Sequence, residues 1–154
     1  MNVEYINPFV TSTFSVFSKM LSWKLVREGL SVGVNKHPEH EISGVIGLSG
    51  NATGTVVLSL DRDVAISATE AMLGERHAEI NAEVIDTIGE LTNMVAGAAK
   101  SQLEQLSMSV SLPNVIVGRN HVIQFPSDTQ RVCISFQTPS GPLSLEVGLA
   151  EQSA

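Results

Sequence analysis

Residues 81–107, NAEVIDTIGELTNMVAGAAKSQLEQLS, constrain this chain more than any other stretch. They predict one long helix. The side-chain carbonyl of Asn81 can accept from the free N–H groups of the first turn. Glu83 and Asp86 stand where the helix dipole favours negative charge. No proline interrupts the run, and about 25 residues at helical rise make a rod of about 37 Å. At helical spacing Val84, Ile88, Leu91, Val95, Ala98, Ala99 and Leu106 fall on one side. Asp86, Glu90, Asn93, Gly97, Lys100 and Glu104 form a stripe on the other. One face packs; the other presents a carboxylate, a carboxamide and a glycine gap.

Glu90 and Asn93, three residues apart, are neighbours on a helix surface. A polar stripe is ordinarily just a solvated face. Two features set this one apart. Most of its members are short or shape-specific rather than a Lys/Glu mixture. Gly97 also costs about 1 kcal/mol against alanine inside a helix, and such a glycine usually marks packing or close approach.

The segment Asp86-Thr-Ile-Gly-Glu90-Leu-Thr-Asn93-Met-Val-Ala-Gly97 resembles the signature helix of the CheX/CheC/FliY chemotaxis phosphatases. Pro113, within Ser111-Leu-Pro-Asn-Val-Ile-Val-Gly118, falls near the proline of that signature, and Tyr5-Ile-Asn-Pro-Phe9 matches the opening. The resemblance runs from residue 4 to about 149 and is closest to the single-site CheX branch. It implies a phosphatase acting on a phosphorylated CheY-like receiver domain. It gives Asn93 the role of holding the attacking water and Glu90 that of pairing with a lysine beside the phosphate. It also implies a homodimer. Two-site relatives carry a second site on the first helix, and Glu4 and Asn7 repeat the Glu-x-x-Asn spacing here. Pro8, however, makes Asn7 sufficient as a helix cap.

The length of 154 residues predicts a single domain, 1–154. A net charge of −7 and the lack of any basic block argue against nucleic acid and anionic membrane surfaces. No apolar run approaches the roughly 18 residues of a membrane span. The N-terminus lacks a signal-peptide layout. A single cysteine, Cys133, excludes an internal disulfide. Together these predict a cytoplasmic protein.

Along the chain, residues 7–21 predict a helix capped by Asn7 with Pro8 at its first position. Lys24 to Val34 predicts a strand with a bulge near Gly29. Asn35 to His40 reads as an exposed polar loop; His37 and His40 lack partners for a metal site. Ile42 to Leu48 and Thr55 to Leu60 form a hairpin around the glycine-bearing segment 49–54. No Gly-Lys-Ser/Thr follows, which rules out a phosphate loop. Asp61 or Asp63 caps a short helix, 63–73, closed by Gly74. Val115 to Val117 and His121 to Phe125 are strand material. Arg131 to Gln137 and Leu143 to Leu149 form a second hairpin, with Cys133 a buried small hydrophobe. Residues 143–149 alternate as a half-buried outer strand with neither lysine nor internal proline. Such an edge is open to pairing with a second copy. The fold class is α+β, CheC/CheX-like: an antiparallel sheet with helices on one face, and a repeated helix–strand–hairpin order that suggests an internal duplication.

The exposed stripe has too few ligands for a metal or cofactor of its own. A phosphorylated receiver brings its acyl phosphate and its divalent metal, so the missing component is an ordered water. The amide of Asn93 can accept one water proton and fix the line of attack, but it is too weak a base to deprotonate water. Asp86, Gly97 and Lys100 complete the partner-binding face, with Gly97 admitting partner backbone. The alternative is a non-catalytic receiver-binding or flagellar-motor scaffold protein using the same helix. An unrelated enzyme has little support. Turnover of a phosphorylated receiver separates catalyst from scaffold.

Overall fold

A computed structural model describes residues 3–32, 40–119, 121, 123–125 and 129–151. In order these form α1 (Val3–Leu21), β1 (Val26–Val32), β2 (Ile42–Ser49), β3 (Ala52–Leu60), α2 (Arg62–Leu73) and α3 (Ala82–Ser101). A 3-10 turn (Glu104–Leu106), β4 (Ser109–Val110), β5 (Asn114–Val117), β6 (Arg131–Thr138) and β7 (Gly141–Glu151) follow. The seven strands make one antiparallel sheet, ordered β1-β6-β7-β3-β2, with β4 and β5 both pairing the free edge of β2. The α+β architecture expected from the sequence is present.

Period-two alternation sets the two faces of the sheet. Ile42, Ile46, Leu58, Leu60, Ile134, Phe136, Leu143 and Leu145 point to the helices and are fully or almost fully buried. They meet Phe9 and Phe17 of α1, Val64 and Ala68 of α2, and Val84, Ile88, Leu91 and Val95 of α3. Phe14 stands edge-on to Phe136 with ring centroids 5.3 Å apart. The opposite face is polar. Arg131 and Glu146 are both buried there and pair at 3.2 Å. Arg131 also donates to the Ile123 carbonyl at 2.9 Å and lies over the Phe125 ring.

Several local expectations hold. Asn81 caps α3, its side-chain oxygen accepting from the Val84 N–H at 3.1 Å. Gly74 ends α2 in the left-handed conformation, with φ 78°. The β1–β6 register shifts between Arg27 and Gly29, where the bulge was expected.

Others are corrected. Asn7 does not cap α1: the helix begins at Val3, and Pro8 lies inside it. Asp61 occupies the N-cap position of α2 without capping it, because its carboxylate is bonded to His40 Nδ1 at 2.9 Å. His40 is therefore a buried residue and not an exposed loop residue; His37 lies outside the described residues. The described residues of 121–125 form no strand. α3 stops at Ser101, and the last turn expected of it is the 3-10 turn.

The largest correction concerns residues 143–149. They are not an edge. β7 lies between β6 and β3, paired along its length on both sides, and Leu143 to Leu149 are buried throughout. The edges are β1 at one end and the short β4 and β5 at the other. A two-fold contact through Leu143–Leu149 is therefore excluded by the sheet itself.

Candidate active site

α3 is held by three kinds of contact that leave one face outward. Its apolar side is in the core. At Thr92 it presses on β2: a Cβ added to Gly44 would lie 2.0 Å from Thr92 Oγ1, so only glycine admits the helix there. The Thr92 hydroxyl is satisfied within the helix, donating to the Ile88 carbonyl at 2.7 Å. One turn earlier, Gly89 faces Val115 and Pro113, which an added Cβ would meet at 3.4 and 3.7 Å. Pro113 is itself positioned by Ser111. The Ser111 N–H donates to the Gly47 carbonyl at 2.9 Å, and its Oγ accepts from the Gly47 N–H at 2.9 Å. Leu112, between them, is 87% exposed.

Clamped in this way, α3 turns Asp86, Glu90, Asn93, Gly97 and Lys100 outward, all exposed as the periodicity predicted. Glu90 and Asn93 stand one turn apart. Among the described residues the side chains of Asp86, Glu90, Asn93 and Lys100 have neither hydrogen bond nor ion pair. They are thus free to engage an incoming group. Among the described residues nothing lies within 4 Å of a Cβ added at Gly97, so their packing gives no reason for the glycine. The stripe borders a cavity of about 520 Å³, with Asn93, Gly97 and Lys100 on the helix side and Leu103, Met108 and Val110 across from them.

The remaining candidates separate from this site. Glu4 and Asn7 are exposed on α1, but Glu4 is the second residue of its helix whereas Glu90 is the ninth of α3. Cys133 is half-buried on the polar sheet face. Burial and the nearby Glu146 carboxylate outweigh Arg131 and push its thiol up to about 11, so it is no thiolate at neutral pH. Among the described residues no three His, Cys, Asp or Glu side chains come together as a metal site.

Sequence reasoning found the stripe through its period but missed what seats it. Thr92, Gly44 and Gly89 act through contacts between residues distant in the chain. Pro113 was visible only as a spacing. Of the cavity's far wall, Leu103 to Ser107 read as the end of the long helix, and Met108 to Val110 signalled nothing.

A family model described as chemotaxis phosphatase CheX matches residues 42–137. The chain is 26% identical over 123 residues to the CheY-P phosphatase CheX of Thermotoga maritima, covering 78% of this chain and 79% of that one. A CheC-like superfamily protein from a Shewanella species is 31% identical and superposes with a TM-score of 0.91 over 97% of this chain and 99% of its own. The chemotaxis protein CheX of Vibrio vulnificus is 29% identical, with a TM-score of 0.89 over 96% and 99%. The same fold, at 21% identity and a TM-score of 0.78 over 97% and 100%, occurs in a CheX–CheY–BeF3–Mg²⁺ complex from Borrelia burgdorferi. With the matched region spanning well over half of it, this chain belongs to the chemotaxis phosphatase CheX family.

Proposed function

We propose that this chain hydrolyses the aspartyl phosphate of a CheY-like receiver domain and that Asn93 positions the attacking water. The observation that carries the reading is the pair Glu90 and Asn93. They are exposed one turn apart, unpartnered among the described residues, on a helix fixed from behind. The receiver supplies the acyl phosphate and its divalent metal. Water bound to the Asn93 amide oxygen attacks phosphorus opposite the aspartate oxygen. The P–O bond to the aspartate breaks, its electron pair leaves with the carboxylate, and the water's proton passes to the departing inorganic phosphate. Since the amide only holds the water in line, its contribution is orientation. Glu90 pairs with a lysine beside the phosphate and registers the helix over the pocket. Asp86, Gly97 and Lys100 complete the contact face. The family name and the Thermotoga relative's activity support the phosphatase reading.

The working form is a homodimer, and its place is the cytoplasm. No helix among the described residues is long and apolar enough to cross a membrane.

Asn93→Ala is the deciding variant. It should lower accelerated dephosphorylation by roughly a hundredfold, the scale of losing a positioned reactant, while the receiver still binds. Glu90→Ala should weaken binding and turnover together. Wild-type dephosphorylation rates in Asn93→Ala would remove the assignment. Receiver binding without any turnover by the wild-type protein would favour the scaffold alternative.

A further inference from the structure

Past Asn93 the exposed face of α3 does not run out onto flat surface. It forms one wall of the cavity of about 520 Å³, whose other wall is built by the 3-10 turn and β4. We propose that this cavity is a specificity subsite, taking a bulky apolar side chain that the receiver carries beside its phosphorylated aspartate. The proposal rests on the reading of Asn93 given above and adds to it a second point of recognition.

Position is the first argument. Gly97 and Lys100 follow Asn93 by four and seven residues, about 6 and 10 Å along the helix axis. A standard protein interface covers about 800 Å² on each partner, a disc of about 16 Å radius. A receiver with its phosphate at Asn93 therefore covers the cavity, and whatever surface it carries there must fill it or leave it wet.

Chemistry is the second. Leu103 and Met108 give an apolar floor. Lys100 and Glu104 stand exposed at the rim, neither in an ion pair among the described residues. An apolar pocket inside a polar, charged rim is the anatomy of an interface hot spot. The unbranched Met108 side chain also adapts to the shape placed on it.

The third is Gly97. A Cβ there meets nothing within 4 Å among the described residues, so alanine would fit and strengthen the isolated helix. The missing side chain widens the mouth of the cavity, where an occupant would enter.

The test fills the cavity from its helix wall. Gly97→Leu and Ser101→Trp both start from exposed positions, and Gly97→Leu also replaces a poor helix former. The probe is a CheY-like receiver domain loaded with beryllofluoride and Mg²⁺ that the wild-type protein binds. Both variants should raise its Kd by about tenfold or more. Turnover at saturating receiver should stay within about threefold of wild type in Ser101→Trp, and the melting temperature of Gly97→Leu should not fall. Asn93→Ala should give the opposite pattern, with turnover lost and Kd nearly kept, so the two readings fail separately. A benzophenone side chain at Ser101 should crosslink to the receiver loops around its phosphorylated aspartate. Unchanged Kd in both variants, crosslinks to the far side of the receiver, or no loaded receiver bound by the wild-type protein would each overturn the subsite.

Discussion

Gly97 carries a helix cost that packing among the described residues does not repay. Its helix position is exposed and uncrowded. Gly97→Ala should therefore stabilise the free protein by roughly 1 kcal/mol, raising Tm by about 2–4 °C in a chain of this size. A fall in Tm on calorimetry would mean that the glycine serves the fold after all. His40 is the reverse case. In sequence it stands in a polar run that contains Pro38 and reads as an exposed loop residue; in the structure it is buried against Asp61. His40→Ala leaves a cavity and frees Asp61, and should cost about 1–3 kcal/mol in urea unfolding with little change in saturated turnover. Cys133 gives a pH signature. Its thiol is pushed from 9.0 to about 11 in the folded state, so the folded protein holds that proton while the unfolded chain releases it. The stabilisation is complete below pH 9 and is lost as pH rises from about 9 to about 11. Cys133→Ala should flatten the stability profile over that interval; an unchanged slope would place the alkaline loss on another group.

At the scale of elements, α3 was legible because one helical period separates a face that packs from a face that does not, and its cap lies within four residues. The closeness of its approach to the sheet was not legible. Gly44 and Thr92 lie on different elements, and only the folded chain shows that a Cβ at Gly44 meets the Thr92 side chain. Gly44→Ala should destabilise by about 1–3 kcal/mol through overpacking. It should also lower activity, because the helix that carries Asn93 would be lifted or turned. Thr92→Ala in the same protein should recover part of the loss, a coupling that a double-mutant cycle reads directly. Additive effects would show that the two residues do not meet. Strand β7 misled for a related reason. Ser144, Glu146 and Gly148 read as a solvent face, yet Glu146 is buried against Arg131, and an added Cβ at Gly148 would lie 2.7 Å from the Phe125 ring. Polar residues neutralised by a partner look the same in sequence as polar residues in water.

The whole molecule sets where a second copy can join. The sheet is symmetric in order about its β7–β3 pair: β6 and β1 on one side are answered by β2 and β5 on the other. The β5 end is short and shared with β4. The β1 end is a seven-residue strand paired on one side only among the described residues, with Val26, Leu30 and Val32 exposed by 58, 48 and 57%. An edge with free N–H and C=O groups and exposed apolar side chains is a template for another strand. Pairing with a two-fold related β1 would satisfy those groups and cover the apolar residues in one step. It would also leave the outward face of α3 on each subunit free for a receiver. The expected species at tens of micromolar is therefore a dimer by light scattering after size exclusion. Leu30→Lys together with Val32→Lys would set like charges against each other across the two-fold axis without touching the core. That variant should run as a folded monomer that retains dephosphorylation per subunit at saturating receiver. A wild-type monomer would end the dimer reading. A lysine variant that remains a dimer would move the interface away from β1.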